Sequence, residues 1–197
     1  MSLAQRVTDI FDEGIQLGHD CAELLVPVIV DAAHMLVECL LAGHKILTCG
    51  NGGSAAEAQH FSSEMLNRFE MERPGLPAIT LTTDASTLTS IANDDHFAEV
   101  FAKQIRALGK PGDMLLALTT SGASPNIINA VRAAHDREMR VLLLSGRGGG
   151  PAAEQLTKED LEIRIPSVST ARTQEMHLVI IHSLCDLIDR RLLGQEA

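Results

Sequence analysis

The sequence predicts an α/β fold, one domain in which helices cover both faces of a five-stranded parallel sheet. Three observations lead there. Five short aliphatic runs recur along the chain, and segments with apolar residues at helical spacing separate them. The 197 residues suit a single domain. The hydrophobic share is 45% and the aromatic share only 3%, so the core must be aliphatic.

Between residues 3 and about 41, Val7, Ile10, Phe11, Ile15, Leu24, Leu25, Val28, Ile29, Ala32, Leu36 and Leu40 recur at helical spacing. Two helices joined near Pro27 account for them, and Gly43 closes the second. Residues 45–49 then read as a short buried strand, followed by strand candidates at 78–81, 114–118, 140–144 and 161–165. Helical patterns lie around 55–69, 97–108, 126–137 and 170–193. Pro74 and Pro77 end the helix after the first strand, leaving Arg68 and Arg73 as candidate substrate or subunit contacts. The glycine-rich stretch 145–151 reads as a flexible turn into a short helix. In a parallel sheet of this kind, ligands bind outside the carboxyl ends of the strands.

Composition removes several function classes. Sixteen Lys and Arg against 26 Asp and Glu give a net charge of −10 and a pI near 5.2, the wrong sign for a phosphate-backbone binder. The absence of Trp and Tyr removes the usual stacking residues of single-strand binders. The longest apolar runs are short and strand-like, so no membrane span is expected, and the N-terminus lacks a secretory pattern. A cytoplasmic location follows. Cys21, Cys39, Cys49 and Cys185 lie far apart in apolar surroundings and are expected as buried free thiols.

Three segments carry chemistry. Gly50-Asn51-Gly52-Gly53-Ser54-Ala55-Ala56 is a strand-to-helix turn in which glycines admit a ligand close to the backbone and the helix start offers free N–H groups. It lacks the lysine of a Walker loop and the acidic partner of a dinucleotide site. Thr119-Thr120-Ser121-Gly122-Ala123-Ser124-Pro125-Asn126 follows another strand with four hydroxyls, where a simple cap needs one. Hydroxyls and helix-start N–H groups make a phosphate cradle that needs no cation. Finally, His60 and Glu64 share a helix face at i, i+4, while Gln174 and His182 lie two turns apart on a late helix. His/Glu pairs of this kind can hold a metal or a substrate oxygen.

The run from Gly50 through His60 and Phe61-Ser62-Ser63-Glu64 resembles sugar-isomerase (SIS) domains of the phosphoheptose isomerase type. So do Leu81-Thr82-Thr83-Asp84, Ile91-Ala92-Asn93-Asp94, Thr119-Thr120-Ser121-Gly122 and Gln174-Glu175-Met176-His177, and the resemblance spans the chain. It implies a flavodoxin-like three-layer sandwich with N-terminal helices. Residues 1–42 would serve oligomer packing and 43–197 would form the sugar-phosphate-binding core of a single SIS domain. The implied assembly is a homotetramer with sites between subunits.

The implied reaction is the conversion of sedoheptulose 7-phosphate to D-glycero-D-manno-heptose 7-phosphate, for lipopolysaccharide heptose. Carried over by position, His60, Glu64, Gln174 and His182 match the family's zinc ligands, one zinc per subunit, and Glu64 and His182 its acid/base pair. Asn51, Gly52, Gly53, Ser54, Glu64, Asn93, Asp94, Thr119, Thr120, Ser121, Ser124 and Gln174 match its substrate contacts. Two places depart from the pattern: Ala123 stands where the family often has Asn or Lys, and Ser169-Thr170-Ala171-Arg172 replaces a common Asp-Thr-Pro approach. The resemblance also embraces a non-enzymatic tetramer that binds the replication initiator DnaA. Glu64 and His182, absent from the pattern of that relative, favour the enzyme here. A sugar-phosphate sensor would need an attached DNA-binding segment, and none is evident.

Overall fold

The computed structural model describes residues 1–194. Its strands are β1 (Ile46–Cys49), β2 (Ala78–Thr80), β3 (Met114–Leu118), β4 (Arg140–Ser145) and β5 (Leu161–Arg164), at the predicted places. All neighbouring pairs are parallel, in the order β2-β1-β3-β4-β5, the flavodoxin-like arrangement. The helices are α1 (Leu3–Leu41), α2 (Gly53–Leu66), α3 (Ala85–Asp94), α4 (Val100–Leu108), α5 (Pro125–Asp136), α6 (Gly150–Ala153) and α7 (Thr170–Leu192).

Strand alternation divides the core. Met114, Leu116 and Leu118 of β3 point to one face, where α1, α2 and α7 pack around Leu36, Phe61 and Ile181. Leu115 and Ala117 point to the other, beneath Ile105 of α4 and Val131 of α5. Strands β1 and β3 are buried along their whole length, which explains why they read as unbroken apolar runs.

The N-terminal segment corrects the sequence reading. It is one helix of 39 residues that runs through Pro27. Pro27 and Glu23, whose carbonyl loses its partner to the proline, are both exposed, so solvent takes up the freed group. The buried stripe Leu17, Cys21, Leu25, Ala32 and Leu36 continues across the proline and holds the helix on α7. By length and composition α1 could cross a membrane, with an 18-residue window of mean hydropathy 2.0, a longer apolar stretch than the sequence suggested. Its apolarity exceeds what the buried stripe uses, since Phe11, Ile15, Leu24 and Val26 are exposed beside it.

Two further features were not anticipated. Helix α3 has no fully buried residue and packs on the core only through the short half-buried stripe Leu88, Ile91 and Ala92; Asp84 caps it, accepting from Thr87 N at 3.0 Å and Thr87 Oγ1 at 2.6 Å. Arg73 is not a surface contact but a buried tie, paired with Asp189 of α7 and donating to the carbonyls of Glu64 and Met65 at 2.9 Å each. The glycine-rich stretch 145–151 is packed, with Arg147 N on the Ser167 carbonyl at 3.1 Å and Ala152 N on Gly122 O at 2.8 Å. All four cysteines are free and buried as expected, and burial pushes the Cys49 and Cys185 thiols up, which keeps them protonated.

Asp113 joins the starts of β1 and β3. Its carboxylate accepts from Lys45 N at 3.0 Å and Lys110 N at 2.8 Å and pairs with the Lys45 ammonium. Burial opposes the charge, yet the hydrogen bonds from Lys45 and Lys110 outweigh it and hold the group below the usual carboxylate range. Folding thus lowers this pKa, so its stabilisation is present above the unfolded value near about 3.9 and is lost as pH falls through the folded value. Asp113→Asn is expected to reduce unfolding free energy by about 2 kcal/mol at neutral pH. Urea denaturation should show the gap from the parent closing in acid.

Candidate active site

The strand order reverses between β1 and β3, and a cavity of about 300 Å³ opens at their carboxyl ends. Its walls are Asn51, Gly52, Gly53 and Ser54 after β1, Leu118 through Ser121 with Ser124 after β3, and Thr170 and Gln174 of α7. Helices α2, α5 and α7 all begin at this edge, so three positive helix ends surround a space lined by no lysine or arginine.

Each loop is shaped by residues that permit no substitute. A side chain at Gly50 would sit 2.4 Å from the Ser54 carbonyl oxygen, and one at Gly53 2.4 Å from Gln174 Nε2. Gly122 has φ +64°, and a Cβ there would lie 1.8 Å from Gly149 O. Thr119 Oγ1 accepts from Gly122 N at 3.1 Å and Ser121 Oγ from Ala123 N at 3.2 Å, so these two hydroxyls build the turn. Ser124 is the N-cap residue of α5, but its hydroxyl makes no capping bond. With the hydroxyls of Ser54 and Thr120 and the Gln174 amide, it remains open to a ligand in the cavity.

Asn51 is fixed by Asn126, a partner not singled out from the sequence. Their amides bond reciprocally at 2.9 Å and 2.8 Å, locking the first loop to the start of α5. Asn126 is 2% exposed, and a buried amide at the second position of a helix is the signal that marks it.

The carboxylate and imidazoles gather farther along α2 and α7. His60 Nε2 lies 2.8 Å from His182 Nε2, and Glu64 Oε1 lies 3.6 Å from the same His60 nitrogen. The Phe69 ring tilts against His182 at a centroid distance of 5.5 Å. Among the described residues no ready cage of three His, Cys, Asp or Glu side chains is closed around an ion. The donor set nonetheless suits zinc, because facing imidazole nitrogens and a nearby carboxylate are its usual N and O ligands. Gln174 stands apart from that cluster, against Gly53 in the cavity. Asn93 and Asp94 end α3, where Asn93 Nδ2 donates to Asp94 Oδ1 at 2.8 Å, and they do not line the cavity.

The arrangement therefore has two parts: an anion cradle at the loop ends, and a carboxylate with two imidazoles about 10 Å along α2, the rise from Gly53 to His60. Comparison with known proteins identifies the family. The SIS domain family matches residues 11–146. The phosphoheptose isomerase of Halorhodospira halophila is 60% identical over 194 residues, covering 98% of each chain. Among solved structures, a phosphoheptose isomerase from Francisella tularensis superposes with a TM-score of 0.94 at 47% identity, covering 96% of this chain and all of that one. Phosphoheptose isomerase GmhA from Neisseria gonorrhoeae does so with a TM-score of 0.91 at 48% identity, over 95% and 99% of the two chains.

Two glycine variants separate packing from backbone strain. Gly148 also has positive φ but nothing within 4 Å of its would-be Cβ, so Gly148→Ala is expected to cost about 1 kcal/mol. Gly122→Ala meets Gly149 O as well and should cost clearly more, read as a larger fall in Tm.

Proposed function

The chain belongs to the SIS-domain family of phosphoheptose isomerases, and on that premise we propose that it converts sedoheptulose 7-phosphate to D-glycero-D-manno-heptose 7-phosphate through an enediol. The observation that carries this reading is the pairing of a cation-free cradle with the Glu64, His60 and His182 cluster along the same two helices. A seven-carbon phosphate has its charge at one end and its carbonyl at the other, which suits a site in two separated parts.

The phosphate is held by the hydroxyls of Ser54, Thr120 and Ser124 and by the N-terminal ends of α2 and α5. Asn51, Gly52, Gly53, Thr119 and Ser121 shape that cradle, and Gln174 donates its amide to a substrate oxygen. At the far end, a base removes a proton from the hydroxyl-bearing carbon beside the ketone. The hydroxyl proton passes to the former ketone oxygen, and an acid returns a proton to the former ketone carbon. Glu64 and His182 carry these two transfers, an ionisable carboxylate and an imidazole that both approach His60. His60, Glu64 and His182 would hold zinc, one per subunit, and zinc bound there would polarise the substrate oxygens, whereas Gln174, matched to the family's fourth ligand, lies two turns from His182 at the cradle and falls outside that cluster.

The working form is a homotetramer in the cytoplasm with sites completed at subunit contacts. Support comes from the exposed apolar stripe of α1, Val7, Phe11 and Ile15, and from Asn93 and Asp94, which the family resemblance puts among the substrate contacts but which stand outside the cavity of their own subunit. Replacing Phe11 and Ile15 together by Asp should dissociate the assembly, seen as a smaller particle in sedimentation.

Turnover of sedoheptulose 7-phosphate by the purified protein is the direct test. Glu64→Gln and His182→Ala are each expected to lower kcat by at least about 10³-fold while the tetramer stays folded. Full activity in both variants overturns the acid/base assignment. No turnover by the parent protein, with zinc supplied and the tetramer intact, overturns the isomerase reading and favours the DnaA-binding one.

A further inference from the structure

Glu57 and His177 lie between the two contacts that build the site, and neither takes part in the chemistry above. Gly53 meets Gln174, and His60 meets His182, so α2 and α7 run in the same direction side by side. Glu57 is one turn past Gly53, His177 is three residues past Gln174, and the two side chains form the middle rung, with His177 Nδ1 3.7 Å from Glu57 Oε2. Both atoms are fully buried, and both lack a hydrogen-bond partner. A buried polar atom left unpaired costs about 1–3 kcal/mol, and here two face each other.

The neighbours decide where the protons are. His177 Nε2 lies 3.1 Å from the Ser145 carbonyl oxygen, which also accepts from Ile165 N. A carbonyl only accepts, so Nε2 carries a hydrogen. With that single proton, the ring would turn a bare lone pair on Nδ1 toward a buried carboxylate oxygen. No water fits between atoms this close. One further proton removes the conflict and turns the contact into a charge-assisted pair.

We infer that Glu57 and His177 form a buried imidazolium–carboxylate pair, with the shared proton on Nδ1, and that this pair positions α7 on α2 so that Gln174 and His182 reach the substrate. The positioning role rests on the isomerase reading; the placement of the proton does not. Loss of the pair lets α7 shift on α2 while the cradle groups of the loops after β1 and β3 stay in place. Misplacement by about an ångström is enough to cost roughly 10²-fold in rate.

The test has two arms. In ¹⁵N-labelled parent protein at neutral pH, NMR of the imidazole nitrogens should show hydrogen on both nitrogens of His177, the signals being assigned by their loss in His177→Gln. A bare Nδ1 overturns the pair. In steady-state kinetics with sedoheptulose 7-phosphate, His177→Gln keeps a donor for Ser145 and removes the charge. It and Glu57→Ala are expected to lower kcat by about 10²-fold with KM changed by less than about threefold, while Glu57→Asp recovers part of the rate. Parental kcat in folded His177→Gln and Glu57→Ala overturns the positioning role. If those variants do not fold, the parent spectrum still decides the pair. If the parent itself does not turn over, the isomerase reading fails and the spectrum stands independently.

Discussion

The close approach of α2 to α7 is the constraint on which the rest of the site depends. It is possible because position 53 has no side chain, since a Cβ there would occupy the place of the Gln174 amide. From that contact onward the helices meet residue by residue, through Glu57 and His177 to His60 and His182. The far end is fastened by Arg73, which donates to the carbonyls of Glu64 and Met65 near the end of α2 and is itself held by Asp189 of α7. Removing either partner of that buried pair would leave an uncompensated charge, a far larger penalty than the net worth of the pair. Its value lies in register: it fixes how far Glu64 stands along α2 relative to His182.

The cradle obeys a different logic. A chain of net charge −10 has no general attraction for a phosphate, and no cation lines the cavity. The favourable field comes instead from the ends of α2, α5 and α7, together with hydroxyls that the protein leaves unbonded. Such dipoles are already oriented before a ligand arrives and need no flexible side chain to be ordered. The reciprocal amides of Asn51 and Asn126 and the close fit of Gly122 under Gly149 keep the loops that carry them in one geometry.

Much of this was legible in the sequence because it rests on local rules. Aliphatic runs marked β1, β3 and β4, the strand candidates at 78–81 and 161–165 fell on β2 and β5, and the two loop segments after β1 and β3 fell on opposite sides of the topological switch, where the cavity lies. Where reading failed, a non-local fact had overruled a local one. Pro27 signals a break, but its freed carbonyl faces solvent and the apolar stripe of α1 continues past it. Helix α3 is short and packs only through half-buried Leu88, Ile91 and Ala92, too brief a stripe to stand out. Arg73 follows a helix in a Pro-rich turn, where arginines are usually exposed, and only the arrival of Asp189 from more than a hundred residues away explains its burial. The set His60, Glu64, Gln174 and His182 illustrates both outcomes. Helical spacing put each pair on one face, and folding brought the two histidines together, but the two turns between Gln174 and His182 leave the amide at the cradle and the imidazole at the carboxylate.

That separation has a consequence for how the protein works. The cradle is held by the sheet, through loops anchored at the ends of β1 and β3, whereas the acid/base cluster is held by one helix lying on another. A disturbance of the loops changes how well the phosphate end is gripped, in the ground state and the transition state alike, and so acts on binding. A disturbance of the helix pair leaves the loop part of that grip in place and moves the proton-transferring groups relative to the carbons they serve, and so acts chiefly on turnover. Gln174 belongs to both halves, because it sits in the cradle but is carried by α7. It is therefore the residue through which the position of the phosphate and the position of the reacting carbons are set against each other.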